Sequence, residues 1–150
     1  MPYLWLKTVH ILLAVVAVGF SASYGLILGR ARRAGRTELT FALKTVQAMG
    51  DRVANPAFIL LFVTGLVMIQ MSGLPIGTRW VHVSMALAFL AMGLGFGLAG
   101  PTLRKQIALL EARGPEDAEF QSLSKRGAMV GGVLALLSLT IIYLMVHKPS

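Results

Sequence analysis

Hydrophobic and polar positions alternate along this chain in long blocks rather than short strides. Apolar residues dominate Leu4–Leu28, Val53–Met71, Val81–Leu98 and Ala128–Val146, with polar connections between them. Each block is close to the ~20 residues that, at ~1.5 Å rise per residue, cross a ~30 Å hydrocarbon core. Backbone amides in lipid must find partners within their own segment, so the blocks predict transmembrane α-helices. Small residues mark the faces on which such helices pack closely. In the first block Ala14, Ala17, Ser21 and Gly25 follow His10 on one helical stripe. In the third, Ala86, Phe89, Gly93, Gly97 and Gly100 follow His82 in the same way, and the fourth carries Gly127, Gly131, Ala135 and Ser138. The expected fold is an all-α, integral membrane four-helix bundle in a single domain of 150 residues, with both histidines facing inward.

The connections set the orientation. The first carries Arg30, Arg32, Arg33, Arg36, Lys44 and Arg52, and the third Arg104, Lys105, Arg113, Lys125 and Arg126. The second, Ser72–Arg79, offers only Arg79. Positively charged loops stay in the cytoplasm, so both termini are expected outside, in the periplasm if the protein sits in a bacterial inner (plasma) membrane. Lys7 and Lys148 run against that orientation, but each lies near a helix end from which it can snorkel. Thr37-Glu38 followed by Leu39, Ala42, Val46 and Met49 predicts a short amphipathic helix, capped by Thr37 and lying along the cytoplasmic interface. Asn55-Pro56 predicts either the start of the second span or a kink in a helix continuing from that segment. Gly114-Pro115 divides the third connection into two helical pieces, with Glu116, Asp117 and Glu119 solvated.

Composition narrows the class. With 56 % hydrophobic and only 13 % charged residues, the chain has no length left for a separate soluble domain. The net charge of +8 lies beside the apolar blocks, which fits anionic lipid head groups and not nucleic acid. The absence of cysteine excludes disulfides, iron–sulfur clusters and thiolate metal sites. No cation precedes the first apolar block, which ends in Arg30-Ala31-Arg32-Arg33, so it reads as a retained helix and not a cleaved signal.

An ionisable side chain inside a span is costly and points to function by default. His10 lies six residues beyond Leu4, and His82 two beyond Trp80, in helices that both run from outside to inside. Their rings are therefore expected in the outer half of the bundle, facing one another. Two such imidazoles suit the axial positions of haem b, or could help hold copper with the thioethers of Met68, Met71 and Met85. The plainer alternative is that each ring bonds a neighbouring helix. His147 reads as a solvated terminal residue, and Tyr3, Trp5, Trp80 and Tyr143 as anchors at the membrane boundary. Arg52 beside Asp51 reads as a lipid-phosphate contact. No nucleophile–base pair, paired intramembrane carboxylates or phosphate loop is present, so any enzymatic role would be that of an oxidoreductase.

At these residues the chain resembles the CopD-like group of small membrane proteins. Leu4-Trp5-Leu6-Lys7-Thr8-Val9-His10-Ile11-Leu12, Asn55-Pro56-Ala57-Phe58-Ile59 with Thr64-Gly65-Leu66, and Trp80-Val81-His82 carry the likeness, as does the ending Val146-His147-Lys148-Pro149. That group includes a family of uncharacterised predicted membrane proteins and, more distantly, the HemJ-type protoporphyrinogen oxidases. The oxidase likeness implies a haem-carrying bundle that uses the first-helix histidine, matched by His10, and a third-helix lysine, where this chain has Ser84. The expected function is thus a small b-type cytochrome-like protein holding haem between the first and third spans for electron transfer, with a redox partner or within a larger membrane complex. A copper- or solute-handling accessory protein is the alternative, and HemJ-like oxidation a lesser one.

Overall fold

The computed structural model describes residues 1–73 and 78–149, so residues 74–77 of the second connection and Ser150 lie outside it. Its elements are α1 (Pro2–Ala34), α2 (Arg36–Met49), α3 (Asn55–Ser72), α4 (Arg79–Leu94), α5 (Gly100–Arg113) and α6 (Ala118–His147). They form four continuous rods, because α2 runs into α3 and α4 into α5. The rods hold 33, 37, 35 and 30 residues, each with a stretch long and apolar enough to cross a membrane. At ~1.5 Å per residue they are about 45–55 Å long, well beyond a ~30 Å hydrocarbon core. The surplus lies at the basic end.

The two joins share a design. Asn55 N–H bonds to the carbonyl of Gly50, and Gly100 N–H to that of Gly95, five residues back instead of four. Each wide turn precedes a proline, Pro56 or Pro101, within the pattern Gly-x-x-x-Ala-x-Pro. Proline lacks an N–H and its ring crowds the carbonyl four residues earlier. Widening the turn relieves that crowding without ending the helix. Of the two outcomes expected at Asn55-Pro56, continuation through a distorted turn is the one observed.

Packing is tightest at the basic end. Leu39, Ala42 and Leu43 of α2 meet Ile107, Leu109 and Leu110 of α5, Ala31 of α1 and Phe120 of α6 in one buried cluster. This corrects the expectation that α2 lies on the membrane surface: its apolar stripe is used inside the protein. The reason is physical. Beyond the lipid these residues face water, where burying each large side chain is worth about 1.5–3 kcal/mol. Within the hydrocarbon core, lipid tails solvate leucine as well as a neighbouring helix does. Leu12, Val15, Leu90, Leu136 and Leu139 are accordingly exposed to the bilayer.

Polar contacts close the same end. Gly35 (φ +146°) and Gly114 (φ +89°) make the two hairpin bends in backbone conformations that L side chains resist. Gly35, not Thr37, occupies the N-cap of α2. Arg36 Nη2 donates to the Glu111 carbonyl at 2.8 Å, tying one bend to the other. Asp117 caps α6 by accepting from Phe120 N–H at 3.0 Å. It is also 3.6 Å from Arg113, while Glu119 lies 2.7 Å from Lys105 and 3.2 Å from Arg113. These two acids are thus pairing groups and not merely solvated. Between α5 and α6, a Cβ on Gly127 would fall 2.6 Å from Gln106 Nε2, which donates to the Leu123 carbonyl at 3.0 Å.

The hydrogen bond and charge of Lys105, with Arg113 adding to them, hold the Glu119 carboxyl below its ordinary value of 4.5. A depressed carboxylate stabilises the folded state above its unfolded pKa and loses that contribution as pH falls through the folded value. The wild-type protein is therefore expected to lose more stability than Glu119→Gln on acidification below about pH 4.5, as read by detergent-phase melting. Parallel pH profiles for the two proteins would contradict this assignment.

Candidate functional site

Helix α1 packs against α3, α4 against α6, and α1 also against α6. Phe62 and Phe89 complete the ring by linking α3 to α4 edge to face, with centroids 4.8 Å apart. This arrangement sets α1 and α4, the helices bearing the two candidate histidines, on a diagonal of the bundle.

His10 lies as expected on the inward side of α1, on a stripe with Ala14, Ala17 and Ser21. Its Nδ1 is 2.8 Å from Thr64 Oγ1 on α3. Thr64 has one hydroxyl proton, and that proton faces the carbonyls of Leu60 at 2.8 Å and Leu61 at 3.0 Å. With that proton on a helix carbonyl, Oγ1 is free to accept from the imidazole, the tautomer that leaves the lone pair on Nε2. Gly65 makes the approach possible, since a Cβ there would come within 3.2 Å of His10 Cε1.

His82 is placed differently. Val81 and Ser84 are the buried residues in the first turns of α4, whereas His82 is exposed. At ~100° per residue, the ring stands about a quarter-turn or more from both of its buried neighbours. Ala86, Phe89, Gly93 and Gly97, the stripe that follows His82, are exposed with it. The expectation that both rings face inward across the bundle is therefore corrected: one does, and the other looks outward near the membrane boundary. In α6, Gly127 and Ser138 are partly buried, but Gly131 and Ala135 are exposed.

The methionine set is likewise divided. Met68 and Met85 are half-buried, Met71 is 44 % exposed, and no group of three or more His, Asp or Glu side chains is gathered among the described residues. The boundary aromatics have specific neighbours as well. Lys148 Nζ lies 5.9 Å from the Trp80 ring centroid, and His147 stacks on Tyr143 at 4.1 Å instead of standing free in solvent.

Three polar groups escaped the sequence reading as parts of a site. Thr64 was visible as a hydroxyl within an apolar span, yet its pairing with His10 depends on how α1 and α3 meet. Ser84 is 1 % exposed and its hydroxyl has no partner among the described residues. Tyr24 Oη is also buried without a partner, close to Gly50 at the start of the first wide turn.

His10 and His82 do not face one another, and no cluster of metal-ligating side chains is gathered among the described residues. A coordinating imidazole usually has its second nitrogen held by a hydrogen bond, and Thr64 could hold Nδ1 of His10 in that way. No curated protein and no solved structure matches the chain. A family profile described as "Predicted integral membrane protein (DUF2269)" matches residues 4–149, and the chain belongs to that family of multi-pass membrane proteins.

Proposed function

We propose that the protein is a small membrane redox protein carrying a b-type haem in the half of the bundle remote from the basic loops. His10 would hold it through its imidazole. The observation that supports this reading is the 2.8 Å contact of His10 Nδ1 with Thr64 Oγ1, which favours Nε2 as the nitrogen that would coordinate. A haem so held supplies a one-electron carrier near the outer face, to be used with a redox partner or within a larger membrane complex. Thr64 holds one side of the ring at 2.8 Å and Gly65 admits its edge. The alternation of basic and uncharged loops supports a bacterial inner membrane as the setting. Ser84 in place of a third-helix lysine weighs against protoporphyrinogen oxidation.

The test is spectroscopic. Full-length protein expressed with ample haem and purified in detergent should show a Soret band and a reduced-minus-oxidised difference spectrum. His10→Ala should abolish both, and His82→Ala should leave them in place. A wild-type protein without a Soret band removes the proposal. Stoichiometric copper in its place, lost in a Met68→Leu/Met71→Leu variant, would transfer the site to the thioether alternative.

A further inference from the structure

The run Arg30-Ala31-Arg32-Arg33 at the end of α1 divides its arginines between two tasks. Arg32 turns into the protein, where Nη2 donates to Ser124 Oγ on α6 at 2.5 Å. Ala31 is buried in the basic-end core. Arg30 and Arg33 are exposed and, with Ala31 and Ala34, border a shallow, open cleft on one turn of the helix.

No carboxylate among the described residues, Glu38 and Glu116 included, forms an ion pair with Arg30 or Arg33. Four acids at the same end are engaged elsewhere: Glu111 with Lys44, Asp51 with Arg104, Asp117 with Arg113, and Glu119 with Lys105 and Arg113. The cleft's height is also defined. Leu28 ends the apolar block, so Arg30 and Arg33 lie only ~3 and ~7.5 Å further along the helix axis, within the head-group layer. Guanidinium groups bind phosphate oxygens through paired, charge-assisted hydrogen bonds. Ala34, exposed beside Arg33, offers a small apolar surface against which a glycerol backbone can lie.

We propose that this cleft seats the head group of an anionic phospholipid, its phosphodiester held between Arg30 and Arg33. The site is at the opposite end of the bundle from His10 and does not depend on the haem reading. It differs from a general attraction to a negative surface in requiring these two side chains and a lipid body.

Detergent-solubilised full-length protein, titrated with short-chain phosphatidylglycerol, short-chain phosphatidylcholine or inorganic phosphate, tests it by native mass spectrometry. Phosphatidylglycerol should bind, phosphatidylcholine should bind far more weakly, and phosphate alone should not compete at matching concentration. Each cation near an anionic surface contributes roughly a fivefold change in affinity, so Arg30→Gln/Arg33→Gln should weaken phosphatidylglycerol about 30-fold. Lys7→Gln, at the other end of α1, should bind as the wild type does. Should the double variant also melt earlier, Arg30→Lys/Arg33→Lys retains the charge without the paired guanidinium bonds and should recover part of the binding. Equal binding of the two lipids, equal loss in Lys7→Gln, failure of the lysine pair to recover, or full displacement by phosphate would each overturn the proposal.

Discussion

Leu110→Ala and Leu43→Ala are each expected to lower stability by about 2–5 kcal/mol, while Leu90→Ala in the third span is expected to change it by less than about 0.5 kcal/mol. The three substitutions remove the same atoms. What differs is the surroundings: Leu110 is 0 % and Leu43 1 % exposed in the basic-end cluster, whereas Leu90 is 51 % exposed on the lipid face. Truncation in the cluster leaves a cavity that neighbouring helices, held by the Lys44–Glu111 and Lys105–Glu119 pairs, cannot readily collapse into. Truncation at Leu90 leaves a gap that an acyl chain fills. Reversible unfolding in mixed micelles measures all three. Equal losses at Leu110 and Leu90 would show that the spans carry as much packing energy as the basic end, contrary to the burial pattern.

The second large effect concerns the outer half. Thr64→Val keeps the β-branched shape but removes the hydroxyl that His10 Nδ1 meets at 2.8 Å. Outer-shell partners of a coordinating histidine typically matter by ~10–100-fold in affinity for the bound group, because they fix tautomer and ring orientation. Thr64→Val should therefore retain a Soret band in freshly purified protein yet lose haem to a scavenger about 10–100 times more readily. His10→Ala should show no band at all. Wild-type retention in Thr64→Val would mean that the hydrogen bond is incidental to binding. The two variants together separate an anchored ligand from a histidine that merely fastens α1 to α3.

Much of the architecture could be read from residue pattern, because bilayer thickness and backbone satisfaction leave so few solutions. Four apolar blocks, separated by basic and uncharged connections, became four rods with the basic connections at one end. The inward position of His10 was also legible, since Ala14, Ala17 and Ser21 follow it at helical spacing on one face. The phase of α4 was not. Glycine and alanine recur around most of its circumference, and in lipid a glycine stripe can face a neighbour or the bilayer equally well. His82 followed the stripe, and the stripe faced out, while Val81, Ser84, Met85 and Ala88 turned inward. The destination of α2 was hidden for a different reason. An amphipathic helix beside a membrane can bury its stripe against lipid or against protein, and the choice rests on α5, some 60 positions away in sequence, presenting a matching face. The division of Arg30, Arg32 and Arg33 between fold and surface depends likewise on where Ser124 arrives.

Anchoring the rods so firmly at the basic end has a mechanical corollary for the remote one. A sheaf bound near its base can spread at its tip: small rotations about the bound region move the far ends by several ångströms while Leu43 and Leu110 stay covered. His10 lies toward that freer tip. A flat guest arriving sideways from the bilayer would thus find its easiest seam between α3 and α4, bridged by Phe62 and Phe89, and the binding knot below would return the rods to register behind it.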